Sequence, residues 1–534
     1  MLWGALLGAV TSLPVMGLMF LGDQLAGLPF VPFDLFDWFA RAMPGSVLTV
    51  LIDTMVSVIL LLKLGEISHT AKLLEQGIAI GSMVMLSVLF GAVIAYMLAR
   101  RTWPAGRVGF TAGSVLFLFI LGVELFRGFP GNLGLGVPWL AVLIIGWGLL
   151  LTNWLGKMVR RTADPAAYEA YHASRRALLL RIASGSVAVA VVASGLGWVL
   201  QRQRIESGAD QPLSQMAPSP PVGSPSPFPQ QQTPEAGDQR IEPAPGTRPE
   251  VTDNEHFYRI DINLLSPSLS QTSWRLGVKG LFDNPRPLSL SDLMAYPAVI
   301  QPVTLSCISN PIGGDLIGNA YWTGVRLVDL LKDLSLRPEA KELSIEAADG
   351  FYESVTMDDL KDQRTLLVYG MNGRTLSKDH GFPLRILIPN HYGMKQPKWI
   401  TSIEAIDRTG SGYWVDRGWS KEARPQVLSI INAIARDRVV GGLIPIGGIA
   451  WAGDRGIQKI EIQVDGGLWE AARLRVPPLG PLTWVQWRYD WLSIPGRHTF
   501  RVRAIDGTGR LQVEQPGDTY PNGATGYHSI AATI

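Results

Sequence analysis

Before residue 205 the chain passes through six stretches with almost no charge, at about 2–22, 42–62, 76–99, 108–126, 138–156 and 182–201. Each approaches the ~20 residues an α-helix needs to cross a bilayer. The third carries no charge from Gln76 to Ala99. In lipid, backbone polar groups must be satisfied within the protein, so spanning segments are helices or closed barrels. Residues 1–201 are therefore expected to form a helical membrane domain of about six spans. Of the chain's 47 basic and 45 acidic residues, only 22 lie before residue 201. The apolar excess is thus local, and a uniformly soluble chain is excluded. A net charge of +2 gives no bulk electrostatic case for nucleic acid.

Loop charge orients such spans, because cytoplasmic loops are enriched in Lys and Arg. With six alternating spans, Arg41, Arg100, Arg101, Arg107, Lys157, Arg160, Arg161, Arg175, Arg176 and Arg181 share one side. Lys63, Lys72, Arg127, Arg202 and Arg204 share the other. The expectation is a multi-pass protein with both termini, and everything after residue 201, outside the cytoplasm. The first stretch has no basic leader and precedes a polytopic domain, so it reads as a span and not a cleaved signal. Segment 27–40 is aromatic, broken by Asp34 and Asp37, and fits either an interfacial helix or a plain loop. Asp53 falls mid-span and is expected to face other helices or a cavity. The only histidines in this half, His69 and His172, fall in expected loops, which argues against haem held between helices. Ser174-Arg175-Arg176-Ala177-Leu178-Leu179 precedes the last stretch and reads as either a twin-arginine export signal or a positive anchor.

Residues 202–250 hold eleven prolines between Pro212 and Pro249 and read as a flexible tether. Beyond it, strand and helix signals mix over 251–424, for example the alternating Trp274-Arg275-Leu276-Gly277-Val278 and the helical VRLVDLLKDL at 325–334. The chain has one cysteine, Cys307. It cannot form an intrachain disulfide, an all-cysteine zinc site, an iron–sulfur cluster or a C-x-x-C-H haem site. It stands where a β-like run meets a Gly/Pro turn, in Val303-Thr304-Leu305-Ser306-Cys307-Ile308-Ser309-Asn310-Pro311-Ile312-Gly313-Gly314. A second cluster, His380 to Arg385 and then Tyr392 to Trp399, brings Arg385, Lys395 and Lys398 among glycines. It reads as either a phosphate site or solvated surface.

Taken together these segments resemble the sulfite oxidase family of molybdenum enzymes. TLSCISNPIGG, GNAYWTGVRLVDLL at 318–331, HGFPLRILIPNHYGMKQPKWI at 380–400 and GYWVDRGW at 412–419 stand in the family's order. The resemblance implies an α+β catalytic domain with a pyranopterin molybdenum cofactor and Cys307 as the one protein thiolate on the metal. It further implies cofactor contacts at Asn254, Phe257, Tyr258, His380, Arg385, Gly393, Met394, Lys395 and Lys398, with Asp349 and Tyr413 near the pocket. Sulfite oxidases of the vertebrate type carry arginines shortly after the Cys-x-x-Asn, whereas this chain has Pro311 and Ile312. A substrate less charged than sulfite, such as a sulfoxide, is then favoured unless Arg326 or Arg417 compensates.

Residues 425–534 alternate as strands around Asp465-Gly466 and Asp506-Gly507 turns, which suggests an immunoglobulin-like sandwich with Trp484, Trp487 and Trp491 in its core. In the resembled family this domain often supports a homodimer. The functional expectation is a membrane-anchored oxidoreductase performing oxygen-atom transfer on a small molecule, with no haem or cluster of its own. Its electrons would pass through a separate cytochrome or quinone-linked partner. The competing reading is a non-enzymatic binding module tethered outside the membrane.

Overall fold

The computed structural model describes residues 1–100, 104–129, 131–158, 165–205, 209–213 and 241–534. They divide into two compact units. The first comprises Met1–Met43, Lys72–Ser207 and Asn263–Leu265, and the second Pro44–Ala71, Gly208–Ile262 and Ser266–Ile534.

Seven helices precede the tether: α1 (Leu2–Ala26), α2 (Val31–Ala42), α3 (Gly45–Leu62), α4 (Ile67–Arg100), α5 (Ala105–Arg127), α6 (Leu133–Met158) and α7 (Pro165–Ile205). Six of them, all but α2, are long and apolar enough to cross a membrane. Segment 27–40 is thus largely helical, as α2. His69 and His172 lie within α4 and α7, not in loops, because both helices extend well past their apolar cores. Arg175-Arg176 falls on α7, with side chains outside the described residues.

Small residues let the helices of the first unit approach closely, the usual device where lipid offers no hydrophobic drive. A Cβ on Gly4 would strike the carbonyl of Gly91, and one on Gly8 the carbonyl of Ser87. Gly109 and Gly113 do the same for α5 against α6, at Thr152 and Ile145. Trp147 Nε1 donates to Thr11 Oγ1 at 2.8 Å, satisfying a polar group inside an apolar cluster of Leu7, Met19, Ile94, Ile120 and Leu140.

The second unit carries three sheets. After β1 (Gly277–Gly280) and α8 (Leu290–Met294, capped by Ser289 and Asp292 in a reciprocal box), the chain forms β2 (Val299–Ser306) and β3 (Ile317–Arg326). Then come α9 (Leu327–Asp333), β4 (Glu342–Ala347), β5 (Tyr352–Thr356) and α10 (Met357–Leu360). They are followed by β6 (Leu366–Met371), β7 (Arg374–Thr375), β8 (Arg385–Leu387) and β9 (Ile400–Ile406). One sheet runs β2-β3-β6-β7 with β8 beside β6, and the other runs β1-β9-β4-β5. Leu327, Leu330 and Leu331 follow the i, i+3, i+4 rule and bury α9 against a core with Leu343, Ile345, Leu367, Ile386 and Ile403.

The last seven strands are β10 (Leu428–Ile434), β11 (Leu443–Trp451), β12 (Ile457–Val464), β13 (Trp469–Leu474), β14 (Val485–Leu492), β15 (Arg497–Asp506) and β16 (His528–Thr533). Their order is β10-β11-β14-β13-β12-β15-β16. Asp465 and Gly466 both have positive φ and close the β12–β13 hairpin, as their spacing predicts. Trp487 and Trp491 join Ile446, Ile460, Phe500 and Val502 in this core. Trp484 does not: it packs with Ile308, Tyr392, Met394 and Trp451.

The expected tether of 202–250 is shorter at both ends. α7 runs on to Ile205. Thr375 N donates to Gln211 O at 2.7 Å, Leu213 N to Gly373 O at 3.1 Å, and Gln486 Nε2 to Arg248 O at 2.8 Å. Residues 209–213 and 241–250 are therefore integral to the second unit. Most of the proline-rich stretch, 214–240, lies outside the described residues.

Candidate active site

The antiparallel pair β2–β3 ends at Ser306 opposite Ile317, and the ten residues between them form a loop tied to itself. Cys307 N donates to Leu316 O at 2.9 Å, Asn310 N to Cys307 O at 3.1 Å, and Leu316 N to Asn310 Oδ1 at 3.0 Å. Gly313 sits at φ +81°, and a Cβ there would strike the ring of His528. The Cys-x-x-Asn and Gly-Gly pattern is thus a closed turn that holds one side chain fixed. Cys307 Sγ lies 3.1 Å from Ser309 Oγ. Burial pushes its thiol pKa up, opposed by hydrogen bonds from Ser309.

Asn254, Phe257 and Tyr258 build the next wall. His380 Nε2 donates to Asn254 O at 2.9 Å, and Asn254 Oδ1 accepts from Asn372 Nδ2 at 2.9 Å. Phe257 packs edge-on against both Trp322 and His380, at 5.5 Å, and stacks on Tyr258 at 5.4 Å. Gly393 stands against the Tyr258 hydroxyl, where an added Cβ would come within 2.8 Å. Burial raises the Tyr258 pKa, and the Cys307 charge raises it further, so the phenol keeps its proton.

Arg385 opens β8 with its guanidinium 4.9 Å above the Trp322 ring, and its Nη1 donates to His380 O at 3.2 Å. It is 5% exposed, and its Nε has no hydrogen-bond partner among the described residues. No carboxylate among them forms an ion pair with it. Burial pulls its pKa down to about 10, which still leaves it charged at neutral pH. Asp261 favours its charge from a distance, but a buried cation without a directly paired carboxylate is costly, and this one is suited to an anionic ligand.

The two lysines differ from Arg385. Lys395 Nζ lies 2.5 Å from Glu353 Oε1 and 3.0 Å from Ser354 O, all buried. Lys398 pairs with Asp261, which also pairs with Arg259, and donates to Asp379 O at 3.1 Å. Protein carboxylates therefore already meet both ammonium charges. Met394 is buried beside Ile308 and Tyr392.

Asp349 is buried in the β4–β5 turn, accepting from Phe351 N at 3.0 Å. Tyr413 lies beneath the Arg417 guanidinium at 3.6 Å. Arg326 cannot compensate for the arginines absent at Pro311 and Ile312. It is exposed at the far end of β3, opposite Leu366, nine residues from the Ile317 end where Cys307 sits. Ser309, Trp322, Asp261, Glu353 and Arg248 escaped the sequence reading. Arg248 donates to Gly314 O at 2.9 Å from what reads as plain linker. Asp261 carried a weak signal, as an acid beside the Phe257-Tyr258 motif.

Burial holds the His380 pKa down at about 4. The unfolded chain takes up that proton near pH 6.5, the folded chain only near pH 4. His380 is therefore expected to cost the domain stability as pH falls through this window and to have no such effect above it. Denaturant midpoints of wild type and His380→Gln from pH 4.5 to 8 should keep a constant difference above pH 7. Below pH 6.5 the difference should shift in favour of the variant.

Residues 263–414 match the family described as the oxidoreductase molybdopterin binding domain. The chain is 30% identical over 260 residues to the sulfite oxidase of Arabidopsis thaliana, covering 38% of this chain and 65% of that enzyme. It is 32% identical over 154 residues to an uncharacterized oxidoreductase of Bacillus subtilis, covering 29% of this chain and 76% of that one. A putative protein-methionine-sulfoxide reductase subunit of Azospira oryzae is 31% identical over 148 residues, 28% of this chain and 55% of that one. The chain spans about half the length of the animal mitochondrial sulfite oxidases it matches. With three quarters of one relative covered at this identity, and with six apolar helices ahead of the matched region, the chain belongs to the sulfite oxidase family of molybdopterin-dependent oxidoreductases and carries a multi-pass type of membrane domain.

Proposed function

We propose that the second unit performs oxygen-atom transfer on a small sulfur compound, with Cys307 as the protein ligand of molybdenum. When bound, the pyranopterin cofactor supplies two-electron oxygen-atom transfer at the metal. The chain's own residues hold, orient and shield it. The observation that carries this reading is the buried Arg385 without a carboxylate, on the same wall as Tyr258, His380 and Gly393, facing the loop of Cys307. Arg385 suits the phosphate end of the cofactor. Asn254, Phe257 and His380 form a wall for the pterin, and Gly393 lets the backbone approach the Tyr258 hydroxyl closely beside it. Lys395 and Lys398 act mainly by fixing the 393–399 turn through Glu353 and Asp261. A soft thiolate suits molybdenum, and the metal's positive charge would offset the burial that raises the Cys307 pKa.

The relatives' names include both a sulfite oxidase and a protein-methionine-sulfoxide reductase subunit. Pro311 and Ile312 offer no charge to a sulfur oxyanion, which favours the sulfoxide. A sulfoxide accepts two electrons and two protons and leaves as a thioether and water. The electrons come from a separate cytochrome or quinone-linked protein. We assign the catalytic domain to the extracytoplasmic side, exported folded through Arg175-Arg176. The strands of 425–534 we assign to an immunoglobulin-like sandwich supporting a homodimer. Changing both arginines to lysine should strand the domain inside, and light scattering in mild detergent should give a dimer mass.

Full-length protein from a cofactor-competent host should contain near-stoichiometric molybdenum, and Arg385→Gln should lower that content. Cys307→Ser should abolish turnover. With a dye as electron donor, sulfoxide reduction should exceed the oxidation of sulfite with a dye acceptor. Molybdenum-free wild type would overturn the cofactor assignment, and faster sulfite turnover the choice of substrate.

A further inference from the structure

Helix directions in the first unit follow from which residues meet. Gly4 meets Gly91 and Gly8 meets Ser87, so α1 and α4 are antiparallel. Gly17 meets Ala190 and Gly197 meets Phe20, so α1 and α7 are parallel. Trp147 meets Thr11 and Trp139 meets Gly22, so α6 opposes α1. Gly109 meets Thr152 and Gly113 meets Ile145, so α5 opposes α6. α1, α5 and α7 therefore run one way, and α4 and α6 the other. A crossing by α3 between α1 and α4 would make those two parallel.

The chain on either side of α3 is tied to one residue. Arg41 Nη2 donates to Asn263 Oδ1 at 2.5 Å, and Lys72 Nζ donates to Asn263 O at 2.8 Å. The same end of the unit holds Arg127, at the close of α5, bonded to Asp34 and Asp37 of α2. Met43 and Lys72, where the chain leaves and re-enters this unit, thus lie at one end of the bundle.

The make-up of α3 fits this path. Ser46, Thr49, Asp53 and Ser57 recur at i, i+3, i+7 and i+11, a polar stripe on a helix whose other residues, Thr54 and Gly45 aside, are apolar. Asp53 makes no hydrogen bond or ion pair among the described residues and is half-buried, whereas an ionised carboxylate at mid-bilayer demands a partner. Only Thr49 and Ile59 of α3 are buried.

We propose that α3 is not a sixth span but a lipid-facing helix lying in the outer leaflet, its exposed apolar side (Val47, Val50, Leu51 and Val58) among acyl chains. The protein then crosses five times, through α1, α4, α5, α6 and α7. Its N-terminus then shares a side with the α4–α5 and α6–α7 ends of the bundle, where the sequence places Arg100, Arg101, Arg107, Lys157, Arg160, Arg161, Arg175, Arg176 and Arg181, and the chain after Ile205 emerges opposite. Nine basic residues against six (Arg41, Lys63, Lys72, Arg127, Arg202, Arg204) keep that side cytoplasmic. This topology differs from the six-span expectation, with both termini outside, only in the side of the N-terminus.

The test is maleimide labelling of full-length single-cysteine additions in intact spheroplasts, with buried Cys307 as unreactive background. Ala42→Cys, Leu64→Cys and Asn132→Cys should all react with an impermeant reagent, and Leu2→Cys and Ala105→Cys only after permeabilisation. Labelling of Ala42→Cys and Leu64→Cys from opposite sides would make α3 a span and overturn the proposal. A bimane on Val50→Cys should be quenched by lipids brominated near the headgroup. Quenching only by lipids brominated at the bilayer centre, or none at all, would remove lipid of the outer leaflet as the occupant.

Discussion

The closed turn between β2 and β3 is the constraint on which the catalytic half depends. Three hydrogen bonds, from Cys307 N, Asn310 N and Leu316 N, fix the backbone that presents the Cys307 side chain. The register Ser306 opposite Ile317 decides which face it occupies, since a slip of one residue reverses every side chain on a strand. Pro311 and Gly313-Gly314 complete the turn, and the absence of side chains there admits His528 and Asn310 at contact.

Around that turn, buried charges are distributed unequally. Burying a charge is costly unless it is paired and hydrogen-bonded. Lys395 is answered by Glu353 and Lys398 by Asp261. Arg385 meets the Trp322 face and one carbonyl, and Asp261 acts on it only at a distance, without an ion pair among the described residues. The lysines are thus paired with protein carboxylates and the guanidinium is not. On the function proposed above, that division gives the lysines a positioning role and the arginine the anion, although the three look alike in sequence.

Much of this was legible in the residues. Apolar length alone located the six helices, and the order of four short motifs located the loop, the His380–Trp399 segment and the family. Turn chemistry at Asp465-Gly466 located a hairpin. What the sequence hid is relational. Hydropathy counts helices but not their directions, so the topology proposed for α3 comes only from how Gly4, Gly17 and Asn263 meet their partners. His69 and His172 were misplaced because apolar windows mark the lipid-buried part of a helix, not its polar extensions. Asp261, Glu353 and Arg248 lie far in sequence from what they touch, and Trp484 faces a different cluster from its neighbours at 487 and 491.

The central claim is that Cys307 is the one protein sulfur on molybdenum. Molybdenum K-edge X-ray absorption on the full-length protein and on Cys307→Ser tests it most directly. The account predicts that the variant loses one sulfur neighbour of the metal, replaced by oxygen, with the cofactor's own sulfurs unchanged. Equal sulfur counts in the two proteins would contradict it.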